Sequence, residues 1–230
     1  MNTHTIISKC QISNSLNLKK IINLGFLPPV NQLISFNSKN QTQNFFETGL
    51  LYCPKSKLVQ LNIEVKKEIV FPKSYPYTSS TTKVLRENFK ELQKEIKEIL
   101  FLKKKNFIVD IGSNDGNLLS NFKKEFKVLG VTPENIGKLA IKRGIPTLLE
   151  YFEKKTVNKI IKNHGKPNIV TATNVFAHIN KPKVLLKNII ELMDKNGVFI
   201  TESHYLMPMI KDLQYDTIYH EHLRYYSLLS

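Results

Sequence analysis

The sequence predicts an α/β fold: a doubly wound parallel sheet that follows a small, mainly β, N-terminal part. Three observations predict it. From Asn106 onward the apolar runs "NFIVDIG", "KVLGVT", "PNIVTAT" and "NGVFITES" have strand length, and near-continuous apolar strands are the kind that crossover helices cover on both faces. Between them lie helical stretches, "PENIGKLAIKRG" and "KPKVLLKNIIELMDK", with Gly144 and Gly197 as stop signals. Before Asn106 the pattern differs, with short β-like runs and turn signals but no long helical period until residue 81.

The elements divide the chain into three parts. Residues 1–78 are an N-terminal domain in which "LLYC", "KLVQLNI" and "EIVF" read as short strands and "FLPPV" and "FPKSYPY" as turns. Residues 79–105 are a connecting helix. Its Val84, Leu85, Phe89, Leu92, Ile96, Ile99 and Leu100 share one face, and Thr81 or Ser80 is placed to cap it. Residues 106–230 are the sheet domain, with about five strands by pattern.

Composition limits the function. The 230 residues are 41% hydrophobic, enough for a buried core. No run approaches the roughly 18 apolar residues of a membrane span. "MNTHTIISKC" lacks the charged and apolar segments of a signal peptide. Cys10 and Cys53 are too few for a disulfide framework, so a cytoplasmic, reduced protein with no membrane partner is expected. The 34 Lys and Arg against 19 Asp and Glu give a formal charge of +15. These cations are scattered in pairs and triplets along helix faces rather than gathered with aromatics, which argues against nucleic acid as a partner.

One loop carries a binding motif. "FIVDIGSNDGNLL" reads as strand, tight turn, then a helix beginning near Asp115, the place where a Rossmann-like sheet binds a nucleotide. Gly112 lets the chain turn, Gly116 permits close packing of the helix, and Asn114 holds a position that tolerates left-handed dihedrals. Asp110, at the strand's end, is placed to accept a hydrogen bond from a ligand. The spacing is not the G-x-G-x-x-G of a pyrophosphate-binding loop. It resembles motif I of class I methyltransferases, which bind S-adenosylmethionine.

The blocks "VDIGSNDGNLL", "KVLGVTP", "GIPTLLEYF", "TATNVFAHI", "GVFITESHYL" and "YDTIYHEHLRYYSL" stand in the order seen in the sugar C-methyltransferases. "NLGFLPPVNQLI", "LLYCPKSKLVQL" and "SYPYTSSTT" look like that family's N-terminal domain. The resemblance covers nearly the whole chain. It implies S-adenosyl-L-methionine as cofactor, held by Asp110, Gly112, Ser113, Asn114, Gly116, Thr132 and Asn174. It implies a 4-keto nucleotide-diphosphate sugar as substrate, methylated on carbon through an enolate. His222 is then the base, with Tyr219 and Glu221 beside it, His178 at the end of the fourth strand, and Tyr75 or Tyr77 reaching in from the N-terminal part. His220 is expected to be structural.

Three departures from the family's pattern set further expectations. The family binds zinc through two C-x-x-C pairs, but here Ser13 and Ser56 replace the second cysteine of each pair, so packed thiols rather than a structural zinc are expected. Thr132 stands where the second strand normally ends in an acid that accepts from the ribose hydroxyls, with Glu134 two residues on. The last strands of the sheet and a C-terminal domain are expected to be missing from this chain, which reads as a fragment, the first half of a split gene with a separately encoded C-terminal half, or a decayed enzyme. The competing readings are a catalytically inactive binding module and an RNA or small-molecule methyltransferase. "TATNVFAH" lacks the Asn-Pro-Pro-aromatic motif of amino methylation.

Overall fold

The computed structural model describes residues 3–37 and 42–230. Strands β1 (His4–Ile6), β2 (Lys19–Leu27), β3 (Phe46–Cys53), β4 (Leu58–Leu61) and β5 (Ile63–Val65) and a one-turn helix α1 (Lys67–Val70) come first. β2, β3 and β4 pair antiparallel in sequence order, while β1 pairs with β5. "EIVF" lies mostly in α1 and is not a strand. Val70 packs with Phe46, Ile63 and Val65, and apolar runs this short fit helix or strand equally well by periodicity.

Helix α2 (Lys83–Leu100) is capped by Thr82, whose hydroxyl accepts from the Leu85 amide. Ser80, one of the two expected caps, instead donates its hydroxyl to Asp115. Phe89 and Ile96 are buried and Leu85, Leu92 and Leu100 partly so, all in one cluster with Ile108, Leu118, Phe122 and Val128. Val84 and Ile99 are exposed. Val84 sits about 100° around the helix from Leu85, off the apolar stripe.

The remaining elements alternate: β6 (Phe107–Ile111), α3 (Asn117–Phe122), β7 (Lys127–Val131), α4 (Gly137–Lys142), β8 (Thr147–Leu148), α5 (Lys154–His164), β9 (Ile169–Thr173), α6 (Pro182–Leu192) and β10 (Val198–Glu202). All pairings in this sheet are parallel, in the order β10-β9-β6-β7-β8. This is the doubly wound, Rossmann-like fold expected. The strand order reverses between β6 and β9, and the carboxyl ends of strands at such a switch point are where these sheets bind ligands.

Helix α7 (Leu206–Lys211) and strand β11 (Arg224–Tyr225) follow. β11 pairs antiparallel with β4, placing Arg224 opposite Gln60. The chain thus gathers into two compact units. One comprises residues 1–72, 176–182 and 203–230; the other comprises residues 73–175 and 183–202. The contiguous division at 78 and 106 is corrected in two places. Residues 73–82, with Tyr75 and Tyr77, belong to the sheet unit. The "YHEH" segment belongs to the N-terminal unit, because Ile218, Leu223 and Tyr225 pack on Leu50, Val59 and Leu61. Among the described residues, no helix is long and apolar enough to cross a membrane.

Candidate active site

The sheet unit builds the loop after β6. Gly112 and Gly116 have φ of +72° and +78°, and Asn114 has +49°, so the left-handed positions fall where the sequence placed tolerant residues. A Cβ on Gly112 would lie 2.3 Å from Val175 Cγ2, and one on Gly116 2.9 Å from Ala140 Cβ. Gly112→Val would therefore break the packing under the loop. Asn114 ties the preceding segment down: its Oδ1 accepts from the Ser79 amide at 2.9 Å and its Nδ2 donates to the Tyr77 carbonyl at 3.1 Å.

Asp115, which the sequence reading did not single out, holds the same segment. Its buried carboxylate accepts from Ser79 at 2.6 Å, from Ser80, and from Arg143 at 3.0 Å. Burial pushes this carboxyl up, but those bonds and the Arg143 charge outweigh it and hold the group below its ordinary value. Tyr77 is exposed; burial of part of its ring, with the Asp115 charge, raises its phenol.

Do these residues fit the cofactor that the resemblance implies? Ser113 Oγ is buried with no hydrogen-bond partner, an orphan that a bound hydroxyl or amine would satisfy. Asp110 accepts from Thr171 at 2.6 Å, and burial raises its carboxyl to about 7. On the neighbouring strand end, Thr132 donates its hydroxyl to the Glu134 carboxylate. A carboxylate therefore does stand beside β7, two residues later than usual. Asn174 (φ +55°) closes the end of β9, its amide nitrogen donating to Glu202 Oε1 at 3.1 Å while Asn88 donates to Oε2 at 2.9 Å. The residues fit.

The N-terminal unit gathers a cluster of histidine and tyrosine side chains. The His222 amide donates to the Tyr219 carbonyl at 3.0 Å, and this turn brings the two side chains together. His222 Nδ1 is 2.9 Å from the Thr217 carbonyl, which can only accept, so Nδ1 carries the proton. Nε2 is then the basic nitrogen, and the Tyr219 hydroxyl donates to it at 3.1 Å. Burial depresses the His222 imidazole to about 4, with the His204 charge adding to it and the Thr217 bond opposing. His178 lies edge-on to His222 at 4.9 Å between ring centroids. It donates to the Glu221 carbonyl, its Nδ1 is buried without a partner, and burial lowers it to about 3.

Glu221 is buried, with Oε1 accepting from Asn31 at 2.7 Å. The group that orients His222 is the Thr217 carbonyl. His220 is buried against Phe46 with Nε2 2.9 Å from the Thr48 hydroxyl, a packed position. Arg224 was not singled out by the sequence. It is 1% exposed, and its guanidinium donates to Tyr226, Gln11 and the Phe176 and Ile179 carbonyls. It pins the turn that carries His178.

The zinc positions converge but do not fit the metal. Cys10 Sγ lies 3.1 Å from Ser56 Oγ, and Ser13 Oγ 3.5 Å from Cys53 Sγ. Two thiols and two neutral hydroxyls are a poor tetrahedral set, and among the described residues no group of metal ligands occurs. Burial pushes the Cys53 thiol up, but hydrogen bonds from Ser13, Ser56 and Cys10 outweigh it and bring it down to about 6. The double variant Ser13→Cys/Ser56→Cys should take up one zinc per chain where the parent takes up none. Metal analysis after dialysis checks this, and one zinc in the parent contradicts it.

Comparison with known proteins agrees with the fold. Residues 84–230 match the family described as "Methyltransferase domain", and residues 10–71 the one described as "Putative zinc binding domain". The C-methyltransferase NovU of Streptomyces niveus is 26% identical over 224 residues, covering 96% of this chain and 53% of that protein. The chain thus spans about half the length of this curated relative. A solved S-adenosylmethionine-dependent methyltransferase from Anabaena variabilis superposes with a TM-score of 0.50 at 18% identity, over 65% of this chain and 68% of that one. A single family model covers well over half of the residues, and the chain belongs to the methyltransferase-domain family.

Proposed function

We propose that this chain carries the cofactor loop and the base of an S-adenosylmethionine-dependent enzyme that methylates a carbon of a 4-keto nucleotide sugar through an enolate. The observation that carries the proposal is the His222–Tyr219 pair, a neutral buried base hydrogen-bonded to a proton donor. The likeness to a C-methyltransferase over nearly the whole chain supports it. A cytoplasmic location, in keeping with two free thiols, is part of the same reading. So is a remaining half, in this chain or another, that completes the sugar site.

When bound, S-adenosylmethionine supplies an activated methyl group. The chain's residues do the rest. In the resting site Tyr219 donates to His222 Nε2. With a ketone present, the phenol turns to the ketone oxygen and frees Nε2. His222 then takes the proton from the adjacent carbon, and the electron pair moves onto the oxygen that Tyr219 bonds. A positioned base is worth about 10²–10⁴-fold, and a donor at the developing oxyanion about 3–4 kcal/mol. Asp110, Ser113 and Glu134 hold the cofactor.

Methyl-labelled S-adenosylmethionine and a 4-keto nucleotide sugar test the reaction. Label bonded to carbon in the product, read by NMR, is expected; label on oxygen or nitrogen overturns the proposal. No transfer by folded, cofactor-bound protein favours a binding module. In the cofactor site, Glu134→Ala should weaken S-adenosylhomocysteine about tenfold, the loss of roughly one charge-assisted hydrogen bond. Calorimetry measures it, and unchanged affinity removes Glu134 from the site.

A further inference from the structure

The proposed reaction, on which this inference rests, leaves a proton behind at every turnover. A methyl group replaces it on the carbon, so His222 must release it before acting again. His222 is 4% exposed and has no outlet of its own. Its Nδ1 is committed to the Thr217 carbonyl and its Nε2 faces Tyr219.

The titratable groups around the His222 ring are few. Tyr219 and Tyr225 lie at centroid distances of 4.2 and 6.2 Å. A phenol does not hold a second proton near neutral pH, and the Tyr225 hydroxyl already donates to the Thr217 carbonyl. His178 spends its N–H on the Glu221 carbonyl, its other nitrogen is sealed, and with a pKa of about 3 it is a poorer acceptor than His222. His204 is the remaining neighbour. Its ring centroid lies 4.8 Å from that of His222, tilted by 57°, and the residue is exposed. An imidazole is the side chain whose ordinary range suits handing a proton to buffer at neutral pH.

We infer that His204 is the proton outlet of the site, taking the proton from His222 and passing it to solvent. Once product leaves, the Nε2–H bond of the His222 imidazolium breaks, an N–H bond forms on His204 directly or through solvent, and buffer then removes that proton, returning both rings to neutral. A charge on His204 disfavours a charge on His222. His204 acts through His222 and needs no contact with substrate. It stands just beyond β10 in "GVFITESHYL", where neither spacing nor periodicity marks it.

The test is His204→Gln, a polar replacement that cannot titrate, at an exposed site. In dilute non-imidazole buffer kcat should fall about tenfold with KM unchanged, and added imidazole should restore it, as expected when only proton transfer is lost. The parent should not respond to imidazole. His204→Asn should behave alike, which guards against a misfolded first variant. An unchanged kcat in either folded variant, or a fall that imidazole does not restore, overturns the outlet role. A parent that transfers no methyl group overturns the proposed function instead, and this inference with it.

Discussion

His222→Asn is expected to abolish methyl transfer, lowering kcat by about 10²–10⁴-fold, while leaving S-adenosylhomocysteine affinity unchanged. Asparagine keeps a polar group of similar reach but cannot take a proton. The pH profile of the parent carries a second signature. His222 works as a base only when neutral, and burial brings its pKa down to about 4. The acid limb of kcat/KM should therefore fall near pH 4, well below the ordinary histidine range near 6.5. Activity persists above that point and is lost as pH falls through it. The low pKa has a cost, because a weaker base drives proton removal less, and Tyr219 offsets it by bonding the developing oxyanion. His220→Asn should leave kcat within a few-fold of the parent, since His220 is bonded to Thr48 and packed on Phe46. If His220→Asn abolishes transfer and His222→Asn does not, the base has been assigned to the wrong histidine.

Arg224→Met is expected to cost about 1–3 kcal/mol of stability for each buried acceptor it leaves without a donor. That is a large share of the roughly 5–15 kcal/mol available to a domain. The guanidinium satisfies Gln11, two backbone carbonyls and the Tyr226 hydroxyl at once, and methionine would fill its volume but strand the acceptors. Arg224→Lys should recover little, because a single ammonium cannot span the fork. Urea unfolding measures both variants. Stability equal to the parent's would mean that the turn carrying His178 is held by packing alone.

The fold was legible because its signals are local. The strands ending in Ile111, Val131, Thr173 and Glu202 are apolar runs bounded by turn residues, and all are parallel neighbours in one sheet. The loop was legible because positive φ restricts residue choice, and Gly112, Asn114 and Gly116 are the residues that adopt it. What escaped was non-local. Nothing in "YDTIYHEHLRYYSL" says that Arg224 pairs with Gln60 or that this segment joins the N-terminal unit. Register across some 160 residues depends on packing that no window of sequence contains. Asp115 and Arg143 escaped for the same reason: their partners lie 35 and 28 residues away. His204 escaped because a lone exposed histidine carries no pattern; its meaning comes from the ring beside it.

The measurement closest to the central claim is proton exchange. The protein, with S-adenosylhomocysteine in place of the methyl donor, is mixed with a 4-keto nucleotide sugar in deuterated water, and the proton on the carbon beside the ketone is followed by NMR. Removal of that proton is the base's own step and needs no methyl group. This one signal should be lost to deuterium much faster than without protein, and His222→Asn should stop the loss while still binding S-adenosylhomocysteine. Methyl transfer with no such exchange, or exchange that survives His222→Asn, would contradict that claim.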